Sequence, residues 1–206
     1  MQIEKLLSNF NTWSLAYSLA WAQGNSSYTI IQDETTNLRE FPLDWDIRHN
    51  ISVNFTFRIA QGEEYFIPFT DFILPLDDFS ANINWAYASG APYTPQSYES
   101  GHDLDTNSKR MPSTQQTNLR ITKGFVLPNK MNIKIYAEVE NLFKNKNIIS
   151  VYPKTGNYYW NGAQIEEANI PGFVYPEVYY AYSLASQNPL LYNDFRGLTL
   201  GFSVNF

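Results

Sequence analysis

R-G-L-T-L-G-F-S-V-N-F, residues 196–206, is the stretch whose reading decides the fold. From Leu198 the alternation is strict. Leu198, Leu200, Phe202, Val204 and Phe206 fall on one side of an extended chain, and Gly197, Thr199, Gly201, Ser203 and Asn205 on the other, because successive side chains of a strand point to opposite faces. One face is wholly apolar; the other carries only Gly, Ser, Thr and Asn. A strand with lipid on one side and water on the other has this composition.

Working outward, the same pattern recurs. Over 11–21, Trp13, Leu15, Tyr17, Leu19 and Trp21 alternate with Thr and Ser or Ala. Over 45–59, Ile47, His49, Ile51, Val53, Phe55, Phe57 and Ile59 oppose Arg48, Asn50, Ser52, Asn54, Thr56 and Arg58. Further strands are expected at 79–87, 116–126 and 131–143, which with 196–206 makes about six. Between them, 23–43, 92–115 and 144–194 are polar or rich in Gly, Pro and Asn and read as long loops. L-P-N-K at 127–130 reads as a tight turn, and 60–78 as a connector with Pro68 and Pro75. Long loops on one side and shorter links on the other are the habit of outer-membrane barrels, so the three long loops are expected outside and 127–130 on the periplasmic side.

Composition narrows the classes. The 206 residues include no cysteine, which excludes a disulfide framework and a thiolate metal site. A net charge of −6 without a long basic run argues against a nucleic-acid partner. Aromatics are abundant at 17%, and Trp and Tyr gather at membrane–water interfaces. No stretch of ~18 apolar residues offers a transmembrane helix. Mean hydropathy of −0.35 is compatible with a membrane barrel, where only every second residue of a strand faces lipid.

The expected fold class is therefore all-β: an antiparallel transmembrane β-barrel segment of about six strands with long extracellular loops, and an incomplete barrel. In lipid every backbone N–H and C=O needs an internal partner, so two open edges cannot be left bare. M-Q-I-E-K-L-L-S-N-F at 1–10 has one lysine and no long apolar run, unlike a secretory leader. Both points lead to the expectation that 1–206 is the C-terminal part of a longer barrel, with the signal peptide and the remaining strands supplied elsewhere in the parent chain.

Several blocks carry a resemblance: F-P-L-D-W-D-I-R-H-N at 41–50, Y-A-S-G-A-P-Y-T-P at 87–95, N-L-R-I-T-K-G-F at 118–125, I-Y-A-E-V-E-N-L-F-K-N-K-N at 135–147, V-Y-P-K-T-G at 151–156, and the terminal G-L-T-L-G-F-S-V-N-F. In this order they resemble the C-terminal β-barrel region of TonB-dependent outer-membrane receptors, over about residues 8–206. The resemblance implies a barrel of about 22 strands closed by an N-terminal plug. It implies uptake of a scarce siderophore, vitamin, saccharide or peptide, driven through the TonB complex that contacts the plug. The plug is absent from this sequence, so the segment alone is not expected to transport. The resemblance further implies outer-membrane lipid, the remaining strands and plug of the parent chain and the barrel-assembly machinery as partners, the last reading Leu198, Leu200, Phe202, Val204 and Phe206 as its insertion signal.

Other candidates read more plainly. Asp103, Asp105 and Asn107 begin like a calcium loop, but Ser108 and Thr114 stand where Gly and Glu belong, so a solvated loop is expected. Of the two histidines, His49 and His102, His49 is expected at an interface rather than on a metal. The acid pairs Asp44/Asp46, Glu138/Glu140 and Glu166/Glu167 lack an opposed geometry for glycosidase chemistry; the mixed charges of Arg48, Arg58, Arg120, Lys134, Glu138 and Glu140 are expected to form cross-strand ion pairs. No catalytic residue, metal site or cofactor is assigned. Tyr158, Tyr159 and Trp160, with Tyr175, Tyr179, Tyr180 and Tyr182, make one loop strongly aromatic; these rings can meet a ligand or pack the loop against itself. The competing architecture is a soluble β-sandwich binding module of carbohydrate-binding type, which requires the apolar faces to be buried against each other.

Overall fold

Alternating side chains commit these segments to extended backbone, and hydrogen bonding between neighbours turns them into one sheet. The computed structural model describes residues 1–8, 10–25, 39–66, 69, 73–74, 76–97, 105–128, 131–159 and 188–205. Seven long strands are present: β1 (Gln2–Ser8), β2 (Asn11–Leu19), β3 (His49–Ile59), β4 (Phe79–Ala88), β5 (Thr114–Val126), β6 (Asn132–Glu140) and β7 (Gly197–Asn205). Each pairs antiparallel with its neighbours in sequence, so the sheet is a single up-and-down meander from β1 to β7. The fold is all-β, and among the described residues the only helical turn is the 3-10 turn Pro189–Leu191. The sheet is open, with β1 and β7 as its edges.

The sequence expectation of six strands is one short. Gln2–Ser8 escapes the alternation rule because Lys5 occupies an apolar-side position and the register slips between Lys5 and Ser8. Three boundaries also move inward: the pairing of β2 stops at Leu19, β3 begins at His49, and β6 stops at Glu140, where Asn141 takes a positive φ of 51°.

Register puts the alternating sets on common faces. Phe55 pairs with Ile83, Ile83 with Leu119, Leu119 with Val139 and Val139 with Leu198. One residue away, Thr56, Asn82, Arg120, Glu138 and Thr199 line up on the other face. The strand ends are staggered. The β1–β2 turn closes where Asn11 stands in register with Phe57, Ala81 and Ile121, whereas β5 runs on to Val126 before it turns. At the opposite end β5 starts at Thr114, but β6 and β7 reach only Glu140 and Gly197, in line with Asn118. Both borders slope the same way, by about one residue per strand.

The long connections 20–48, 89–113 and 141–196 all leave one end of the sheet, and 9–10, 60–78 and 127–131 the other, as the alternation expects. Each of the four extended connections is pinched by a two-residue strand pair: Gln23–Gly24 with Phe41–Pro42, Pro92–Tyr93 with Lys109–Arg110, Asn147–Ile148 with Tyr192–Asn193, and Tyr65–Phe66 with Ile73–Leu74. There is little core in the usual sense. A water-soluble domain of this length hides about 70% of its chain's surface; here, among the described residues, the buried hydrophobic side chains are Ile59, Ile148 and Val151.

Candidate functional site

Three surfaces have the chemistry to act: the apolar face, the polar face, and the end formed by the long connections. The apolar face is uncovered. Leu198, Leu200 and Phe202 on the edge strand are 67%, 71% and 75% exposed, and Trp13, Phe55, Ile83, Ile121, Phe125 and Ile135 on the interior strands are also exposed. Val204 of the expected insertion strand is half-buried, and Phe206 lies outside the described residues. Aromatic rings gather toward the strand ends: Phe57, Phe79, Phe10 and Tyr65 form an edge-to-face cluster at one end, while Trp85 stacks on Tyr87 and Tyr17 on His49 at the other. The Tyr17 hydroxyl lies 2.9 Å from His49 Nδ1.

On the polar face, amides are laddered across strands. Asn84 Nδ2 donates to Asn54 Oδ1 at 2.6 Å and Asn82 Nδ2 to Thr56 Oγ1 at 2.8 Å. Arg120 meets Glu138 at 3.3 Å and lies 4.4 Å from the centre of the Tyr136 ring; this is the cross-strand pair that mixed charge on facing strands favours. Near the long connections the side chains shrink to Ala16, Ser18, Ser52, Ala86 and Ala88, leaving an open groove of about 570 Å³ beneath Asn147, Ile149 and Asn193.

The long-connection end is built around buried polar groups. Asp46 is 1% exposed. Its Oδ1 accepts the Ala22 N–H at 2.9 Å, its Oδ2 accepts from Arg110, and Arg48 Nε lies 3.5 Å away. Arg110 also donates to the Asp46 and Gly90 carbonyls, at 2.6 and 3.1 Å. Burial on its own raises the Asp46 carboxyl, but the Ala22 and Arg110 hydrogen bonds and the two guanidinium charges prevail and hold it below the usual carboxylate range. Gly90 has no room for a side chain: a Cβ there would stand 1.6 Å from the Met111 carbonyl oxygen.

Asn107 ties the same region together. Its Nδ2 donates to the Pro42 carbonyl and to Asp44 Oδ1 at 2.8 and 2.7 Å, and its N–H to Thr94 Oγ1 at 3.0 Å. The third long connection joins through Gln96 N–H, which donates to the Pro153 carbonyl at 3.0 Å, and through Tyr93, whose hydroxyl would be 2.5 Å from a Cβ on Gly156. Burial raises the Tyr93 phenol above its ordinary value. Asn141 finishes the set. It is buried, its Oδ1 accepts from Asn145 N–H, and its Nδ2 donates to the Asn145 and Phe195 carbonyls.

The sequence candidates fare unevenly. Tyr158 packs edge-on against Tyr159 and Tyr192, and Lys146 Nζ lies 5.3 and 4.1 Å from the Tyr158 and Tyr192 ring centres. These rings pack the loop against itself, and Tyr159 alone of the pair stays exposed. Trp160, Tyr175, Tyr179, Tyr180, Tyr182, Glu166, Glu167, His102 and Asp103 lie outside the described residues. In the calcium-like stretch, Asn107 is occupied by Pro42 and Asp44, and Asp105 meets Arg39 at 3.4 Å. Among the described residues no group of three or more His, Cys, Asp and Glu side chains is arranged to hold a metal. Asp46, Asn107 and Asn141 were not singled out by sequence as anchors; the available signal was that Asp46 and Asn141 each sit in a block of the resemblance. Comparison with protein-family models, curated proteins and solved structures finds no similar protein.

Proposed function

We propose that this chain is the C-terminal part of the barrel of a TonB-dependent outer-membrane receptor, a transport protein rather than an enzyme. One observation carries the reading: a seven-stranded meander keeps a continuous apolar face uncovered while its two borders slope in parallel. A slope of about one residue, ~3.3 Å, per ~4.8 Å strand spacing corresponds to a tilt of about 35°, within the range of membrane barrels.

On a sheet tilted this way, the residue level with a given side chain lies one place nearer the short-connection end at each step from β1 toward β7. Val53, Leu119 and Leu200 then share one height, and Leu15, Ile83 and Ala137 the next. The middle of the apolar face is mostly aliphatic, with Phe55 and Phe202 level with Ile121. Tyr17, Trp85 and Tyr87 lie toward one side of it, and Trp13, Phe57, Phe79 and Phe125 toward the other, an order like that of a hydrocarbon zone between two aromatic girdles. The sandwich alternative needs a second sheet over this face, and among the described residues the remaining strand pairs are two residues long each.

In this reading β1 and β7 pair with further strands of the parent chain, the polar face looks into a lumen occupied by a plug, and the barrel-assembly machinery reads β7. The transported ligand is of the siderophore, vitamin, saccharide or peptide class. The deciding experiment compares Val53→Arg with Asn54→Arg, adjacent residues on opposite faces. Val53→Arg is expected to cost ~2–4 kcal/mol of folding stability in phospholipid bilayers and Asn54→Arg far less. Equal costs would refute the lipid-facing assignment.

A further inference from the structure

On the apolar side of the seven strands, among the described residues, the charged side chains are Lys5 and Lys123. Lys5 stands opposite Trp13, and Lys123 between Phe79 and Ile135. They are far apart in sequence and four strands apart in the sheet. Yet the register row of Lys5 passes through Trp13, Phe55 and Ile83 to Leu119. Four single-residue steps toward the short-connection end, one per strand crossed, lead from Leu119 to Lys123. The two ammonium groups are level.

Both also reach toward the short-connection end. Lys5 Nζ donates to Asn11 Oδ1 at 2.5 Å and to the Ser8 carbonyl at 3.2 Å, at the β1–β2 turn. Lys123 Nζ donates to the Asp77 carbonyl and lies 5.6 Å from the centre of the Phe125 ring. Lysines bend this way when the stem lies along apolar surface and the head seeks a polar boundary. The two neighbouring carboxylates are engaged elsewhere: Asp77 Oδ1 accepts the Gly62 N–H at 2.6 Å, and Asp78 Oδ2 sits over Gly124, which alternates to the polar side.

We propose that Lys5 and Lys123 mark the bilayer boundary at the short-connection end and bind the phosphates of anionic phospholipid headgroups there. The inference rests on the membrane-spanning reading. Counting up the same tilted frame, His49 and Gln115 are the polar side chains level with one another at the opposite border. They lie eight places away, about 22 Å along the membrane normal, close to the ~25 Å apolar band of membrane barrels. An ammonium has three donors, so each lysine keeps protons for a phosphate after its protein contacts.

The chain has no cysteine, so single labels are clean. Spin labels at Ile3→Cys and Ile121→Cys are expected at one shared depth inside hydrocarbon, and a label at Phe125→Cys in the headgroup layer, by oxygen against nickel-complex accessibility in phosphatidylcholine vesicles with and without phosphatidylglycerol. Replacing Lys5 and Lys123 together by Gln is expected to reduce the preference for phosphatidylglycerol vesicles by about fivefold per lysine, and to leave the depth ranking unchanged. Insertion with unequal depths at residues 3 and 121, or an unchanged lipid preference in the double variant, overturns this proposal alone. Labels that all report water overturn it together with the membrane reading.

Discussion

The end that bears the long connections and the sheet beneath it bury side chains in opposite ways. At the long-connection end, Asp46, Asn107, Asn141, Ile148 and Val151 are all buried, and each connection is bound to another by polar atoms of fixed geometry. On the sheet, Ile59 and Thr117 are the buried side chains among the described residues, and the large apolar groups of the apolar face are otherwise exposed or half-buried. The difference separates two kinds of stability. The connections carry their own internal packing and need only water around them. The sheet has backbone ladders on both sides of its interior strands but, among the described residues, no apolar layer over its apolar face, so these residues do not supply the free energy of hiding it.

If that division holds, the costliest polar change belongs at the long-connection end. Asp46→Ala strips the buried anion from Arg110 and Arg48 and leaves the Ala22 N–H unpaired. Breaking a buried pair by removing one partner costs about 3 kcal/mol, the low end being apt because both guanidiniums reach solvent in part. Trypsin cleavage within 20–48 and 89–113 should accelerate accordingly. Because the carboxyl is held below its unfolded value, its contribution is complete above about pH 4 and is lost as the pH falls through the lower folded value. Wild-type cleavage resistance should therefore persist from neutral pH down to that point and fail below it, read there with pepsin because trypsin is inactive in acid, and Asp46→Asn should abolish the transition. A wild-type transition near neutral pH would break the assignment.

The two regions were not equally legible in the sequence. The period-2 alternation gave away six of seven strands, their faces and the end from which each connection leaves, because a face in contact with one medium writes its side chains in one register. β1 was hidden by a lysine on the apolar side and a register slip, and both have local causes at the β1–β2 turn. The anchors of the long-connection end were hidden for a different reason. An Asp, an Asn and an Arg in Gly- and Pro-rich stretches look like any solvated loop, and what buries them is the meeting of Asp46 with Arg110, or Asn141 with Phe195, residues far apart in the chain. No spacing rule joins such pairs.

A smaller effect sharpens the contrast at the junction of the two regions. Asn141 ends β6 at φ 51° and makes three side-chain hydrogen bonds, to Asn145 N–H and to the Asn145 and Phe195 carbonyls. Asn141→Ala loses these and places a side chain where left-handed backbone costs about 1–2 kcal/mol; the total expected in chemical denaturation is about 2–3 kcal/mol. Asn141→Gly restores the backbone freedom and should recover about 1 kcal/mol of it. A Gly variant as damaged as the Ala variant would locate the whole effect in the hydrogen bonds.

The smallest effect is expected on the open sheet, at Gly201. On the polar face Tyr136 pairs directly with Gly201, and a Cβ there would stand 2.4 Å from the Tyr136 ring. The ring covers a glycine of the edge strand and supports the Arg120 guanidinium from its other flank. Gly201→Ala must push the ring aside, and overpacking of this kind costs about 1 kcal/mol when the neighbour can move. It can move here because nothing in the sheet stands above it as a packed layer. Adding Tyr136→Ala removes the collision, so the double variant should show Gly201→Ala to be nearly neutral, a coupling of about 1 kcal/mol in a double-mutant cycle. A cost near that of Asp46→Ala, unrelieved by Tyr136→Ala, would mean that the polar face is as tightly interlocked as the long-connection end, and the division between the two regions would fall.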